Sequence, residues 1–277
     1  MSSHVINLRA LYSGGNGDLF VGQRSDTGAN VVVKFLREHH LPHARKAFLR
    51  EVRILSRGIR GLVPLVFANT EAERPYYVMP YLQGGPLSRY KGQLGAGQLE
   101  RVAADLASTL ATLHAARVAH GDIKPDNVLV SDDGRLQVAD PLGNGIGCTV
   151  FFSQNRGGTP GYWAPEIRAG GQISCAGDVY SYGATLYELQ TGRKPQDGQR
   201  LDSSSVGYAN STKIQQIISV CCQQDPAARP TMQEVGRLLQ GVQWKDIELE
   251  RKQTQERVRA TCVLGGVLLL GLALANG

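Results

Sequence analysis

Residues 120–130, HGDIKPDNVLV, gather a carboxylate, an ammonium and an amide within six positions: Asp122, Lys124 and Asn127. Pro125 fixes φ and carries no N–H, so the segment reads as a loop, and Val128-Leu129-Val130 then reads as a strand. SDDG at 131–134 supplies turn chemistry, and RLQVA brings the chain back as a second strand that ends at Asp140. Counted outward from the turn, Asn127 falls nearly opposite Asp140. Such a hairpin sets an amide oxygen beside a carboxylate at its open end, with Asp122 just upstream. Hard oxygens held that way suit Mg²⁺ carrying substrate phosphates, and the chemistry they suit is phosphoryl transfer. The plain alternative is the polar end of a surface hairpin.

Several elements upstream are placed to serve such a loop. LYSGGNGDLFVGQ, residues 11–23, is a Gly-rich turn between two strand-like pieces, and Gly14, Gly15 and Gly17 let backbone amides approach phosphate oxygens. In VVVKF the period of two puts Val31, Val33 and Phe35 on one face and Val32 and Lys34 on the other. From Ala44 to Arg57 the spacing is helical, with Phe48, Val52 and Leu55 on one stripe and Glu51 within it. A carboxylate on an apolar stripe calls for a cation, and Lys34 is the candidate. YYVMPYLQGGPL, residues 76–87, is an apolar strand ending in Gly and Pro, as a connection between two lobes should. Leu99, Val102, Leu106, Leu110 and Leu113 then predict a long helix running up to the loop, where His114 reads as a packed or surface residue and His120 as a brace.

Taken in order, these motifs resemble those of the eukaryotic-type (Hanks-type) Ser/Thr protein kinases, most closely the bacterial ones. HGDIKPDN is similar to the HRD…KPEN catalytic loop, Asp140 to the metal-binding Asp of DFG, and VVVKF to VAIK. GTPGYWAPE at 158–166 is similar to the end of a Ser/Thr kinase activation segment, and GDVYSYG at 177–183 to the helix whose Asp178 caps the catalytic loop. Over residues 5–240 the resemblance implies an α+β bilobal fold: a small β-rich N-lobe with one helix (about 5–79), a hinge (about 80–86) and a larger, mainly helical C-lobe (about 87–240). It implies ATP and Mg²⁺ as cofactors and proteins bearing Ser or Thr as substrates.

Among residues, the resemblance implies Asp122 as the base, Lys124 on the γ-phosphate, and Asn127 and Asp140 on the metal. Nucleotide contacts fall to Gly14, Gly15, Gly17, Leu19 and Val32, to Lys34 held by Glu51, to Met79, Tyr81 and Leu82 of the hinge, and to Leu129. Glu166 needs a buried cation, and Arg229 supplies one at the family's spacing. The chain departs from the family at Tyr12, Asn16 and Val32, at Pro141-Leu142 in place of Phe-Gly, and at Gly121 in place of the HRD arginine. With Gly121 there, a phosphate at Thr149 or Ser153 has no catalytic-loop guanidinium to meet. A pseudokinase or nucleotide-binding scaffold is the alternative function, and a small-molecule phosphotransferase of related fold a second.

The totals agree with a folded enzyme: 277 residues, 42% of them hydrophobic, can bury a sizeable core. A net charge of +6 is spread along the chain rather than clustered, which argues against nucleic acid as a partner. Five cysteines without metal-ligand spacing, and no secretory signal ahead of the first motif, fit a reducing cytoplasm. The tail changes character: 241–259 is dense in charge, and 260–275 has none. Sixteen residues rise about 24 Å as a helix against a hydrocarbon core of about 30 Å, and Arg257 and Arg259 fit a cytoplasmic flank. The expectation is a single membrane helix at 260–275 behind a juxtamembrane segment, tethering the domain to the inner or plasma membrane.

Overall fold

The computed structural model describes the backbone of residues 5–14, 17–142, 161–201 and 212–275, and the side chains in those ranges except at 14, 212 and 260–275. Three antiparallel strands lead the chain: β1 (Val5–Gly14), β2 (Gly17–Arg24) and β3 (Asn30–Phe35). With β4 (Phe67–Asn69) and β5 (Tyr76–Pro80) they form one sheet in the order β1-β2-β3-β5-β4. Central placement buries β3 on both faces. Val31 and Val33 pack with Tyr76 and Val78, while Val32 joins the main core with Tyr77 and Met79. The alternation in VVVKF is therefore real, and Lys34, only 2% exposed, lies on the main-core side of it.

One helix covers that side. α1 runs Pro42–Leu55, with Pro42 in the first turn, where a missing N–H costs nothing. Phe48, Ile54 and Leu55 are buried, and the Phe48 ring lies 5.6 Å from that of Tyr77.

The larger part is mainly helical. β6 (Gly85–Pro86), β7 (Val128–Val130) and β8 (Leu136–Val138) make a small sheet at its upper edge. α2 (Ala96–Ala115) buries Leu99, Leu106, Leu110 and Leu113, the stripe expected from their spacing. α3 (Pro165–Arg168) precedes α4 (Cys175–Thr191), which is buried at every residue from Gly177 to Leu189, as a helix at the centre of a lobe must be. α5 (Thr212–Cys221) and α6 (Met232–Leu239) complete the lobe. The architecture is the bilobal α+β arrangement that the sequence implied.

Glu166 finds its cation in Arg229: two bonds of 2.7 Å join the carboxylate to the guanidinium, which also donates to the carbonyls of Gln223 and Ala176. Arg229 is buried, so every one of its donors is used within the protein.

α7 is a single 32-residue helix, Trp244–Ala275, and its charged first half, within the segment expected to be juxtamembrane, is docked on the C-lobe. Ile247 is buried, Arg251 pairs with Glu234 and donates to the Arg229 carbonyl at 3.0 Å, and Arg237 grips Glu250 at 2.7 and 2.8 Å. Residues 260–275 continue this helix, and their side chains lie outside the described residues. Among the described residues no helix is long and apolar enough to cross a membrane. The membrane helix expected at 260–275 gains no support from the described residues.

Removing one partner of the buried Glu166–Arg229 pair strands the other. Arg229→Ala is expected to lower unfolding free energy by about 3 kcal/mol in urea titrations, and Glu166→Gln by less, since Glu166 is a quarter exposed and water screens it.

Candidate active site

The ammonium of Lys34 stands between two carboxylates, 2.7 Å from Glu51 Oε1 and 2.9 Å from Asp140 Oδ1. The strand register sets Lys34 opposite Leu19 on β2 and Tyr77 on β5. Tyr77 completes the cluster: its hydroxyl donates to Glu51 Oε1 at 2.6 Å and lies 3.5 Å from Asp140 Oδ1. Burial alone would depress the Lys34 pKa, but Asp140 and Glu51 outweigh it and raise it above the usual lysine value. Burial likewise pushes Asp140 up, yet the Lys34 ammonium more than reverses this and holds the carboxyl below the ordinary range. Tyr77 was not legible as a site residue; the only signal is its position on the Lys34 side of a neighbouring strand.

Asp140 takes φ +60°, a left-handed conformation that Asp tolerates and that turns the chain at the end of β8. The hairpin register pairs Val128 with Val138, and the Ala139 N–H donates to the Asn127 carbonyl at 2.9 Å. Asn127 therefore faces Ala139, with Asp140 one residue further on, close to the placement counted from the turn.

In the loop, Asp122 Oδ2 accepts from Lys124 Nζ at 2.7 Å and from Asn127 Nδ2 at 2.7 Å, and Nδ2 also reaches the Asp122 carbonyl at 2.9 Å. Among the described residues, Asp122 Oδ1 is buried with no partner. Asn127 spends its amide nitrogen on holding the loop, so its oxygen is the atom it can offer a cation.

Asp178 holds the loop from below. Its carboxylate accepts from the His120 N–H at 2.7 Å and the Gly121 N–H at 2.8 Å, and lies 3.0 Å from His114 Nε2. His120 is the brace expected of it: Nε2 meets the Ala139 carbonyl at 2.9 Å and Nδ1 accepts the Asp122 N–H at 3.3 Å, a pattern only the neutral ring satisfies. Burial lowers its pKa accordingly. His114 is more than a packed residue. Burial opposes its charge, but the bond to Asp178, with Cys175 next to it, raises it to about 9. Gly121 has φ +85°, and a Cβ there would stand 2.6 Å from Ile173 Cδ1, so neither an arginine nor any other L side chain fits without strain.

Around the proposed nucleotide position, Val32 and Met79 are buried and packed with half-buried Leu19, Tyr81, Leu82 and Leu129. A Cβ at Gly17 would meet the Phe35 carbonyl at 2.7 Å, which explains that glycine through packing of β2 on β3. The Tyr81 N–H is spent on the Asn30 carbonyl and the Leu82 carbonyl on the Gly85 N–H, both at 3.1 Å, so Tyr81 has no amide to give a base. Gly15, Asn16, Gly143, Thr149, Ser153, Arg156 and Thr159 lie outside the described residues, and of Gly14 only the backbone is described.

The family description of the protein kinase domain matches residues 6–238. The chain belongs to the protein kinase family. It is 34% identical over 204 residues to the DNA damage-responsive serine/threonine-protein kinase RqkA of Deinococcus radiodurans, covering 68% of this chain and 30% of that protein. It is 32% identical over 212 residues to the serine/threonine-protein kinase Pkn1 of Myxococcus xanthus, covering 73% and 31%. The LRR receptor kinase SERK2 of Oryza sativa subsp. japonica is 30% identical over 299 residues, covering 90% and 49%. The chain thus spans between about a third and a half of the length of these relatives.

Two expectations concern the scaffold of this kinase domain. Gly121→Ala should cost about 1–3 kcal/mol by urea unfolding, and Ile173→Ala should recover the steric part in the double variant. The His114–Asp178 bond stabilises the fold fully below the unfolded-state pKa of about 6.5, and that contribution fades as pH rises through about 9. His114→Gln should therefore flatten the decline in stability between those limits, read from melting temperature against pH.

Proposed function

We propose that this chain is an ATP-dependent Ser/Thr protein kinase, transferring the γ-phosphoryl group to protein hydroxyls. The observation that carries this reading is the Asp122 carboxylate, with one oxygen bonded by Lys124 and Asn127 and the other buried without a partner among the described residues. A buried unpaired acceptor costs about 1–3 kcal/mol, and a substrate hydroxyl supplies the missing donor. As that hydroxyl oxygen bonds to the γ-phosphorus and the bond to the β–γ bridging oxygen breaks, Asp122 Oδ1 accepts the hydroxyl proton. Lys124 offsets charge on the moving phosphoryl group. Lys34, fixed by Glu51 and Tyr77, positions the α- and β-phosphates.

The donor set fits Mg²⁺, with Asn127 and Asp140 as the residues that would hold it. Among the described residues no group of three or more His, Cys, Asp or Glu could by itself hold a metal ion, and Mg²⁺ characteristically takes one or two protein oxygens and fills its shell with phosphate and water. Bound there, it neutralises phosphate charge. Lys124 two residues after Asp122 supports Ser/Thr acceptors over Tyr, in keeping with the names of RqkA and Pkn1.

Membrane attachment through residues 260–275 is supported by the sequence alone, by the uncharged run behind Arg257 and Arg259. Retention of the full chain, but not of residues 1–259, on salt-washed membranes would establish it.

Radiolabelled phosphate transfer tests the kinase reading. Asp122→Asn should lower kcat by about 10²–10⁴ while leaving ATP affinity nearly unchanged, and Lys34→Met should cut kcat/KM steeply. Asn127→Ala should shift the Mg²⁺ titration to higher concentration. Wild-type transfer by Asp122→Asn would end the assignment.

A further inference from the structure

α1 carries a single carboxylate, Glu51, and one of its oxygens receives two donors: Oε1 lies 2.7 Å from Lys34 Nζ and 2.6 Å from the Tyr77 hydroxyl. The two donors are not equivalent. Lys34 is divided, because its ammonium also meets Asp140 Oδ1 at 2.9 Å and stands where the proposed activity brings phosphate. The Tyr77 hydroxyl has one proton to give, and 2.6 Å to Glu51 against 3.5 Å to Asp140 assigns it to Glu51. Tyr77 also sets its ring 5.6 Å from that of Phe48, three positions before Glu51 and on the same face of the helix. One wholly buried side chain of β5 therefore meets α1 twice, once through a ring and once through a hydroxyl. The helix needs such a tie, since its first turn has neither a capping side chain nor an acidic residue.

We propose that Tyr77 is a positioning residue whose hydroxyl latches Glu51, and with it α1, beside Lys34 whatever Lys34 and Asp140 themselves bind. Phenylalanine would supply the same ring packing; the hydroxyl is the part that packing does not explain. Without it, Glu51 Oε1 depends on the shared ammonium alone. The Glu51 side chain is 12% exposed, so water is at hand to replace a lost donor and the carboxylate can turn outward. Lys34 then loses the carboxylate that aims it, and α1 loses its polar tie to β3 and β5. The latch is a property of the nucleotide-free fold, and its kinetic consequence rests on the proposed kinase activity.

The test uses the full chain and compares Tyr77→Phe with Tyr182→Phe, which deletes another wholly buried hydroxyl, one that donates to the Ala103 carbonyl at 2.9 Å in the C-lobe. In the nucleotide-free protein, backbone hydrogen exchange across residues 48–55 should quicken about tenfold in Tyr77→Phe and stay at the native rate in Tyr182→Phe. In phosphate-transfer assays, kcat and kcat/KM for ATP should fall together by about tenfold in Tyr77→Phe, with the KM for the protein acceptor constant. Because the hydroxyl acts through Glu51, adding Tyr77→Phe to Glu51→Ala should lower kcat by less than about twofold further. Unmoved exchange in α1, equal acceleration by Tyr182→Phe, an unchanged kcat, or a further loss of about tenfold on top of Glu51→Ala would each overturn the proposal. A wild-type chain that transfers no phosphate would refute the kinase reading instead, and the exchange comparison would still decide the latch.

Discussion

The interaction on which the site depends is the buried ammonium of Lys34 between Glu51 and Asp140. A lone ammonium at that depth would lose its proton; two carboxylates keep it charged and at the same time tie β3, α1 and the end of β8 to one point. Tyr77 adds a hydroxyl from β5, so four separate parts of the chain converge on a few ångströms. One cation facing two carboxylates leaves excess negative charge beside the proposed metal position. The proposed divalent ion, brought in with a nucleotide, would complement that charge.

A second carboxylate organises the lower half in the same manner. Asp178 receives two backbone N–H groups and an imidazolium, and the loop carrying Asp122 is shaped by those bonds more than by its own preferences. Gly121 supplies the left-handed turn that lets two successive amides point at one carboxylate, and Ile173 fills the space a side chain would need. The position at which the family carries an arginine is therefore closed to one by packing. The departure is built into the local fold and is more than a single-residue exchange.

The C-terminal helix extends the same logic past the family-matched region. Arg251 bonds the carbonyl of Arg229, whose guanidinium holds Glu166. A stretch that reads as a charged linker thus braces the segment leading out of the activation region. Charge density alone does not distinguish a solvated linker from a docked helix, because the deciding feature, buried Ile247, is one apolar residue among many polar ones.

What the sequence determined by itself was local. The loop from His120 to Asn127, the hairpin to Asp140, the two faces of VVVKF and the stripe carrying Glu51 follow from short spacings and turn residues, which act over a few positions and need no tertiary context. The Lys34–Glu51 pair could be anticipated because a charge on a buried surface demands a partner, whereas Arg229 as the partner of Glu166 was implied by the family resemblance. Tertiary structure alone decided which further groups joined them. Tyr77 reaches Glu51 only because β5 lies beside β3 in register, His114 and Cys175 meet only because α2 ends against the start of α4, and the Tyr81 amide is lost to Asn30 by strand pairing. These contacts join residues 26 to 61 positions apart with no periodic signal between them. They are set by how whole elements pack, and no window of sequence contains that information.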